Sequence, residues 1–321
     1  MRSRASIVLA LAAASGCAIA GLDAYSSGGG AGPSDAGGKD ASYPADQAAP
    51  DGASDASADV VVPPPCNLAA PFGAATPLSS LNTSFIEGQA RLSLDELTIL
   101  FMSNRLNGLL NVFTASRPNK GVAFGAPTSL ASLNFANVDT WNASLTGDAL
   151  TAYIVTDGNA ADHMYVATRA SSLVGFGTPQ LMPAPIVSGE QPFVKPDGTV
   201  LYYTDQTGGP HYRIARAVLG GSPTVAAVPI SVASLDVGIP VIDPTETLIY
   251  FSAFDHTNIL SYDIWTAKRA TAADPWSAPS AVVELNTADF DTPSWVSADG
   301  CTLYFTRANG SDRNLYVARK P

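Results

Sequence analysis

A motif that recurs five times at nearly constant spacing is the feature that most constrains the fold of this chain. The motif has the form Asp-Gly-x-x-Leu-Tyr-Phe, in which a turn precedes a short apolar run. Its copies begin 52, 50, 48 and 54 residues apart. A period of this length predicts a repeat architecture built from one small unit. The copies are Asp95–Phe101, Gly147–Tyr153, Asp197–Tyr203, Thr245–Phe251 and Asp299–Phe305.

Two further motifs follow within the period. One alternates apolar residues and ends in a basic one, as in His163-Met-Tyr-Val-Ala-Thr-Arg169, and the third repeat keeps only a reduced copy. The other joins an aromatic residue to Pro, as in Phe124-Gly-Ala-Pro127, with Leu-Asn some residues later. Each run is short, rich in aromatic or β-branched residues and bounded by turn formers, so each predicts a strand. Four strands in about 50 residues are typical of a β-propeller blade.

The ends of the repeat region indicate how the ring closes. The segment from Phe72 to Asn82 repeats the aromatic-Pro and Leu-Asn motif, with one inserted residue, before the first Asp turn. The final repeat stops at Pro321 without that segment. An N-terminal strand that completes the last blade would leave neither partner with a free edge. We therefore predict an all-β, five-bladed and monomeric β-propeller over residues 66–321.

The repeats resemble those of a known family. Lys195-Pro-Asp-Gly-Thr-Val-Leu-Tyr-Tyr203 and Ser297-Ala-Asp-Gly-Cys-Thr-Leu-Tyr-Phe305 are close to Ser-Pro-Asp-Gly-x-x-Leu-x-Phe, and Ser103-Asn-Arg105 matches the Ser-Asp-Arg turn that follows it. This pattern is similar to the PD40 (WD40-like) repeats of TolB-like β-propellers. TolB itself has six blades and an additional N-terminal domain, which are not found here. The resemblance therefore implies the fold and leaves the biological role open.

The N-terminus predicts export and a lipid anchor. A basic start, Met1–Arg4, precedes the apolar run Ala5–Ala14, which is too short to span a bilayer. Ala14-Ser-Gly-Cys17 resembles the lipobox of bacterial lipoproteins, which implies cleavage before Cys17 and lipidation of its sulfur. The alternative is an ordinary signal peptide with an incidental cysteine. Because Ala18 is not Asp, we expect a cell-envelope lipoprotein of the outer membrane, periplasmic or surface-exposed.

Residues 18–65 predict a disordered tether. They consist mainly of Ala, Gly, Ser, Asp and Pro and end in three prolines. Such a composition cannot bury a core. As a flexible coil the segment would span roughly 35–40 Å root-mean-square, enough to hold the following domain away from a membrane.

Charge and missing motifs exclude several functions. Acidic residues number 28 against 17 basic ones, a net charge of −11, which argues against nucleic-acid binding. Within residues 66–321 the charge is −7, which favours a cationic partner. No Gly-x-Ser-x-Gly elbow, phosphate-binding loop or dinucleotide fingerprint occurs. His163, His211 and His256 belong to three different repeats, and no short spacing predicts a metal site.

Two cysteines remain after Cys17. The predicted closure places Cys66, at the start of the closing strand, in the same blade as Cys301, in that blade's second strand. An exported protein meets an oxidising compartment, so a disulfide is one prediction. The alternative is two separate thiols, because strands two and four are not adjacent and disulfide geometry is narrow.

A carboxylate precedes every Asp turn by seven to nine residues, where the innermost strand of each blade would begin. Five carboxylates around one channel mouth would repel one another, raise their pKa values or recruit a cation or basic ligand. No cofactor is required, although Ca²⁺ accepts such oxygen ligands. The alternative is local, with each acid capping its own turn. The candidate ring is Glu87, Asp139, Glu190, Asp236 and Asp291.

These observations favour a non-catalytic binding module for an envelope protein or glycan, acting through the acids and the loops between second and third strands. The alternative is a carbohydrate-active enzyme of the arabinanase type, a class that shares the five-bladed fold. Its acid and base would come from Glu190, Asp236 or Asp291, about 5–9 Å apart. A purely structural spacer is the third hypothesis.

Overall fold

The computed structural model describes residues 66–158, 161–207, 211–255, 258–309 and 312–321. These residues form five antiparallel sheets of four strands each, with one short 3₁₀ turn at Ile186–Ser188 and no α-helix in the described ranges. The strands are β1 Thr76–Pro77, β2 Glu87–Leu92, β3 Thr98–Ser103, β4 Asn111–Ser116, β5 Thr128–Ser129, β6 Thr140–Leu145, β7 Thr151–Gly158, β8 Ala161–Thr168, β9 Gln180–Leu181, β10 Glu190–Val194, β11 Val200–Asp205, β12 Arg213–Val218, β13 Thr224–Ala227, β14 Asp236–Ile242, β15 Leu248–Asp255, β16 Asn258–Lys268, β17 Ser280–Ala281, β18 Asp291–Val296, β19 Thr302–Asn309 and β20 Asp312–Arg319.

The five sheets are the blades of a propeller, as predicted. Blades 1 to 4 take their strands in sequence order, from β2–β5 to β14–β17. Blade 5 has the order β18-β19-β20-β1, so the N-terminal strand completes the blade formed by the C-terminus. The first strands β2, β6, β10, β14 and β18 contact their neighbours around the whole ring, which makes them the inner strands. The predicted fold and its closure are confirmed.

The Asp of the first motif builds the turn between the inner and second strands. Asp95 accepts hydrogen bonds from the Ser93 hydroxyl and from the Leu97 N–H, and Asp299 repeats this with Ser297 and Cys301. The carboxylate thereby mimics a backbone carbonyl and fixes the turn. Its recurrence in the sequence is structural.

The basic and aromatic ends of the other two motifs pack on each other. The Arg117 guanidinium lies 4.4 Å from the centroid of the Phe124 ring, and its Nε donates to the Glu96 carbonyl oxygen at 2.8 Å. Arg169 with Phe176 and Arg269 with Trp276 repeat this contact. A cation over an aromatic face stabilises by about 0.5–2 kcal/mol. The third blade, whose motif is reduced in the sequence, has Leu219 at the position of the arginine.

The Leu-Asn motif holds the outer edge of the blade. Asn134 accepts the Val112 N–H through Oδ1 and donates from Nδ2 to the Val112 carbonyl oxygen. Asn286 does the same at Ile264, and Asn82 at Leu315. Because β5, β17 and β1 are only two residues long, the asparagine side chain continues the pairing that the short strand begins. We call this contact the asparagine latch.

Apolar side chains fill the spaces between neighbouring blades. A cluster with Leu100, Ile154 and Phe176 lies between blades 1 and 2, and one with Tyr203 and Val155 lies between blades 2 and 3. A larger cluster runs on through blades 3, 4, 5 and 1. The large aromatic residues of the first motif therefore serve the core, which leaves polar function to the strand ends.

Cys66 and Cys301 form a disulfide, with their Cα atoms 5.8 Å apart. Their placement differs from the expectation in detail. Cys66 lies well ahead of β1 rather than opening it, and Cys301 lies in the turn just before β19 rather than within that strand. The segment before the closing strand therefore reaches across the intervening strand to the turn.

The predictions for residues 1–65, namely lipidation of Cys17 and the tether over 18–65, lie outside the described residues. Within the described part of the chain, no helix has the length and apolar character needed to cross a membrane.

Candidate functional site

All five inner strands begin at the same end of the channel, but their carboxylates do not occupy equivalent positions. Glu87 pairs with Ser103 and Asp291 with Arg307, each partner eight residues after its turn Asp. Glu190 pairs with Thr204, seven residues after Asp197. Because side chains alternate along a strand, this one-residue step turns the Glu190 side chain to the other face.

Glycines in two other blades show what that face contacts. At the level of Glu190, blade 1 has Gly88 and blade 4 has Gly238. A Cβ at Gly238 would lie 2.9 Å from the Thr204 hydroxyl of the preceding blade. A Cβ at Gly88 would meet Met102 of its own blade at 2.8 Å and Thr306 of blade 5 at 3.3 Å. The position thus faces the previous blade, and only blade 3 fills it with a carboxylate.

Glu87 and Asp291 are fully buried and neutralised within their own blades. The Arg105 guanidinium donates to Glu87 at 2.9 Å, and Arg307 donates to Asp291 at 2.7 Å. Each acid also accepts the N–H and hydroxyl of a threonine four residues earlier. This is the local capping role, so these two carboxylates do not face the channel as part of a ring.

Asp139 and Asp236 have other partners. Asp139 precedes β6 and accepts the Leu110 N–H of blade 1 at 2.8 Å. At the position equivalent to Glu87, blade 2 has Thr140, whose hydroxyl accepts the Phe135 N–H. Asp236 is buried and lies 2.8 Å from His211 Nδ1. The five acids therefore have at least three kinds of surroundings.

Glu190 has another carboxyl group as its neighbour. Its side chain hydrogen-bonds Asp162, from the third strand of blade 2, and accepts from Gln191 Nε2 at 3.2 Å. Asp162 itself lies opposite Asp157 across β7 and β8. Two carboxyl groups can hydrogen-bond each other only by sharing a proton. Among the described residues, no arginine or lysine lies within 4.0 Å of Glu190.

Aromatic rings form the rest of this site, which we call the acidic pocket. Its cavity volume is about 60 Å³, and it is lined by Glu190, Gln191, Thr204, Tyr212, Gly238, Ile239, Phe254 and Tyr262. The Tyr262 ring stacks on Phe254 with centroids 4.2 Å apart, and Tyr212 tilts against Phe254 at 5.6 Å. The pocket therefore combines carboxylates with a wall of ring faces.

The surroundings make protonation the central property of the pocket. Burial, reinforced by repulsion from Asp162, raises the pKa of Glu190 to about 7. Burial and Asp157 likewise raise the pKa of Asp162. Burial and the neighbouring Tyr212 and Glu190 raise the pKa of Tyr262 to about 12, so its hydroxyl stays neutral. The Glu190–Asp162 pair therefore changes charge near neutral pH, as coupled carboxylates do.

Sequence reasoning identified Glu190 and Asp236 but missed Asp162, Tyr212 and Tyr262. These three lie on β8, just before β12 and on β16, where the repeat gives no sign of a shared pocket. The loops between second and third strands, which we expected to contribute to binding, begin later than the sequence suggests: Asp157, Asp255 and Asn309 still lie inside strands. Within the described ranges, no group of three His, Cys, Asp or Glu side chains could hold a metal ion.

Comparisons with known proteins concern the fold. No protein-family model and no curated protein sequence matches the chain. Among solved structures, TolB from Acinetobacter baumannii is 12% identical with a TM-score of 0.51, over 75% of this chain and 56% of that one. A thermostable family-43 glycoside hydrolase is 17% identical with a TM-score of 0.50, over 74% and 91%. A putative TolB from Agrobacterium tumefaciens is 15% identical with a TM-score of 0.47, over 72% and 73%.

At these identities the similarity concerns architecture and not activity. The matched structures include a TolB and a glycoside hydrolase with nearly the same TM-score. They therefore do not distinguish a binding protein from an enzyme. In fold, this chain is a five-bladed β-propeller, similar to the propellers of a TolB and of a family-43 glycoside hydrolase.

Proposed function

We propose that the propeller is a non-catalytic binding module whose acidic pocket takes a basic side chain of an envelope protein. The observation that carries the proposal is the Glu190–Asp162 pair, which has no arginine or lysine partner among the described residues and only the charge of His163 near Asp162. Tyr212, Phe254 and Tyr262 wall the pocket beside it. A guanidinium or ammonium group satisfies both features. It pairs with carboxylate and packs on aromatic faces.

Charge in the rest of the pocket supports a cation as ligand. Tyr212 and Tyr262 both sense the charges of Glu190 and Asp236, and both remain neutral hydroxyls at physiological pH. The nearby basic side chains have other partners, since Arg313 packs over Phe290 at 4.4 Å and His211 pairs with Asp236. An incoming cation therefore meets two aromatic faces and a carboxyl pair that becomes more negative as the pH rises.

The test is calorimetric titration with the peptide Gly-Arg-Gly amide and its citrulline counterpart at pH 6 and pH 8. We expect the arginine peptide to bind at least about tenfold more tightly than the citrulline peptide, as for a charge-assisted hydrogen bond. Affinity should rise from pH 6 to pH 8, since Glu190 is ionised only at the higher pH. Glu190→Gln should remove most of this preference.

Asp289→Asn is the matched control, because Asp289 is an exposed acid in the loop that leads to β18 at the same end of the channel. It should leave both affinities unchanged. Equal binding of the two peptides by the wild-type protein, or equal binding by wild type and Glu190→Gln, would refute the proposal.

A glycoside hydrolase is the second candidate. A carboxyl group with a pKa of about 7 suits a general acid, and the family-43 hydrolase shares the fold. Glu190 would donate the proton and Asp236 would be the second carboxylate. Asp291 is unsuitable because Arg307 and Thr287 occupy it. Release of reducing sugar from arabino-oligosaccharides that Glu190→Gln abolishes would establish this function instead.

The proposed setting is the cell envelope, with the chain anchored through lipid on Cys17. Labelling of producing cells with an alkyne fatty acid should mark the wild-type protein, and Cys17→Ser should remain unlabelled. Labelling of both forms to the same extent would contradict the anchor.

A further inference from the structure

The opposite end of the channel, where the inner strands run into the Asp turns, holds a second pocket of different chemistry. Its enclosed part is small, with a cavity volume of about 20 Å³, and it widens into an open mouth that brings the empty space to about 420 Å³. Its rim is formed by the residue before the turn Asp, or before Thr245 in blade 4, and none of the five is charged: Leu94, Gly147, Pro196, Pro244 and Ala298. We call this the turn-end pocket. The rim residues themselves attract apolar groups, although the Asp that follows the rim residue in blades 1, 2, 3 and 5 places negative charge nearby.

One side chain inside the turn-end pocket does not fit its apolar walls. Four residues before the turn Asp, or before Thr245 in blade 4, the inner strands carry Ser144, Phe193, Val241 and Trp295 in blades 2 to 5, but Arg91 in blade 1. These residues occupy the same level, since their partners on the second strands are equivalent. Blade 1 therefore places a cation where the other blades have apolar or small residues.

Arg91 is buried without a counter-charge. Its side chain is 3% exposed, and no carboxylate of the described residues lies within 4.0 Å. The Nη atoms donate to the carbonyl oxygens of Ala90, Ser294 and Pro192, whereas Nε has no acceptor. The guanidinium also lies 5.3 Å from the Phe193 centroid. A buried charge that is bonded only to neutral oxygens and leaves a donor unused is costly.

Burial also lowers the pKa of Arg91 to about 9, in keeping with the energetic cost of holding this charge away from water. The group nevertheless remains a cation at neutral pH. An anion that reached the pocket would relieve that cost and would interact strongly in the low-dielectric surroundings.

We propose that the turn-end pocket binds small monocarboxylates with an apolar body, the carboxylate pairing with Arg91 and the body packing against the apolar wall and rim. A single cation balances a single negative charge, so a dianion such as phosphate would leave excess charge against Leu92, Phe193 and Trp295. A carboxylate also matches the forked geometry of a guanidinium. The site lies at the other end of β10 from Glu190 and is independent of the acidic pocket.

The test compares benzoate with benzamide, which has nearly the same shape and no charge, by calorimetric titration of the full chain. We expect benzoate to bind at least about tenfold more tightly, as for a charged hydrogen bond. Arg91→Met, similar in length and uncharged, should lose the difference, and Arg91→Lys should keep part of it. Glu190→Gln should bind benzoate as the wild type does.

A chloride series at constant ionic strength gives the remaining outcomes. Weak competition of chloride with benzoate would show that the apolar body contributes to binding as proposed. Equal affinity for chloride and benzoate would overturn the role of the apolar body. Equal binding of benzoate and benzamide, or unchanged binding by Arg91→Met, would overturn the site itself. Should Arg91→Met fail to fold, Leu94→Asp adds a carboxylate on the exposed rim and should weaken benzoate binding several-fold.

Discussion

Glu87 and Glu190 are identical side chains that begin inner strands, yet they meet opposite charges. Glu87 has the Arg105 guanidinium at 2.9 Å, and Glu190 has the Asp162 carboxyl group. The difference comes from one step in register, which turns Glu190 towards the preceding blade. At the scale of the residue, position relative to the bulge decides whether a carboxylate stabilises a turn or pairs with another carboxyl group.

The Glu190 environment predicts a stability that falls as the pH rises. Its folded-state pKa of about 7 lies above the ordinary 4.5, so the folded protein holds a proton that the unfolded chain releases. The stabilising effect is complete below pH 4.5 and is lost as the pH rises through about 7. Glu190→Gln should therefore match the wild type at pH 4 and exceed it at pH 8 by on the order of 2–3 kcal/mol.

Urea unfolding at the two pH values measures this difference. Asp289→Asn, on the same end of the ring, should track the wild type at both. A stability difference between Glu190→Gln and wild type that is the same at pH 4 and pH 8 would show that the pair does not share a proton as described.

The positions of the five acids could be predicted from the sequence, but not which of them would pair with an arginine and which with another carboxyl group. The number of residues from each acid to the turn Asp of its blade is seven for Glu190 and eight for Glu87 and Asp291. That count has meaning only once the bulges are known, since Glu190–Phe193 and Gly88–Arg91 both shift the pairing. Asp162 could not be found, because its approach to Glu190 depends on how two blades pack.

At the scale of the element, the repeat motifs explain how each blade keeps a fourth, outer strand that is only a few residues long. Four of the five fourth strands contain only two residues, and three of these, β1, β5 and β17, are extended by an asparagine latch. The sequence predicted four strands per blade from these motifs, and the sheets confirm it. It could not predict how short the outer strands are, because a side chain performs part of the pairing that backbone normally performs.

The asparagine latch predicts a measurable loss at one residue. Asn286→Ala removes an acceptor for the Ile264 N–H and a donor to the Ile264 carbonyl oxygen, bonds of 2.8 and 3.1 Å. We expect a loss of about 1–3 kcal/mol in the free energy of unfolding, because the bonded groups are partly buried. Asn119→Ala, which removes only an exposed turn contact to Gly121, should change stability by less than about 0.5 kcal/mol. Equal effects of the two variants in urea unfolding would contradict the latch.

At the scale of the whole molecule, closure joins the two ends of the propeller sequence within one blade. The pairing of β1 with β20, the Asn82 latch at Leu315 and the Asn67 N–H bond to the Pro321 carbonyl oxygen all cross this join. The repeats predicted this closure, since the aromatic-Pro and Leu-Asn motif that the last repeat lacks is present before the first repeat. A ring closed in this way cannot open without exposing two strand edges.

The Cys66–Cys301 disulfide spans 235 residues of sequence and crosses the same join, so its removal should weaken closure. Replacing both cysteines with serine should lower the free energy of unfolding by roughly 2–5 kcal/mol, the range for a bridge that closes a long loop. Urea unfolding with and without a reducing agent measures this effect. The reductant should lower the wild-type midpoint to that of the double variant and leave the double variant unchanged. Because the backbone pairing and the Asn82 latch remain, the double variant should still fold, with faster proteolysis in the segment before β1. Identical midpoints for the oxidised wild type and the double variant would show that the backbone contacts alone secure the ring.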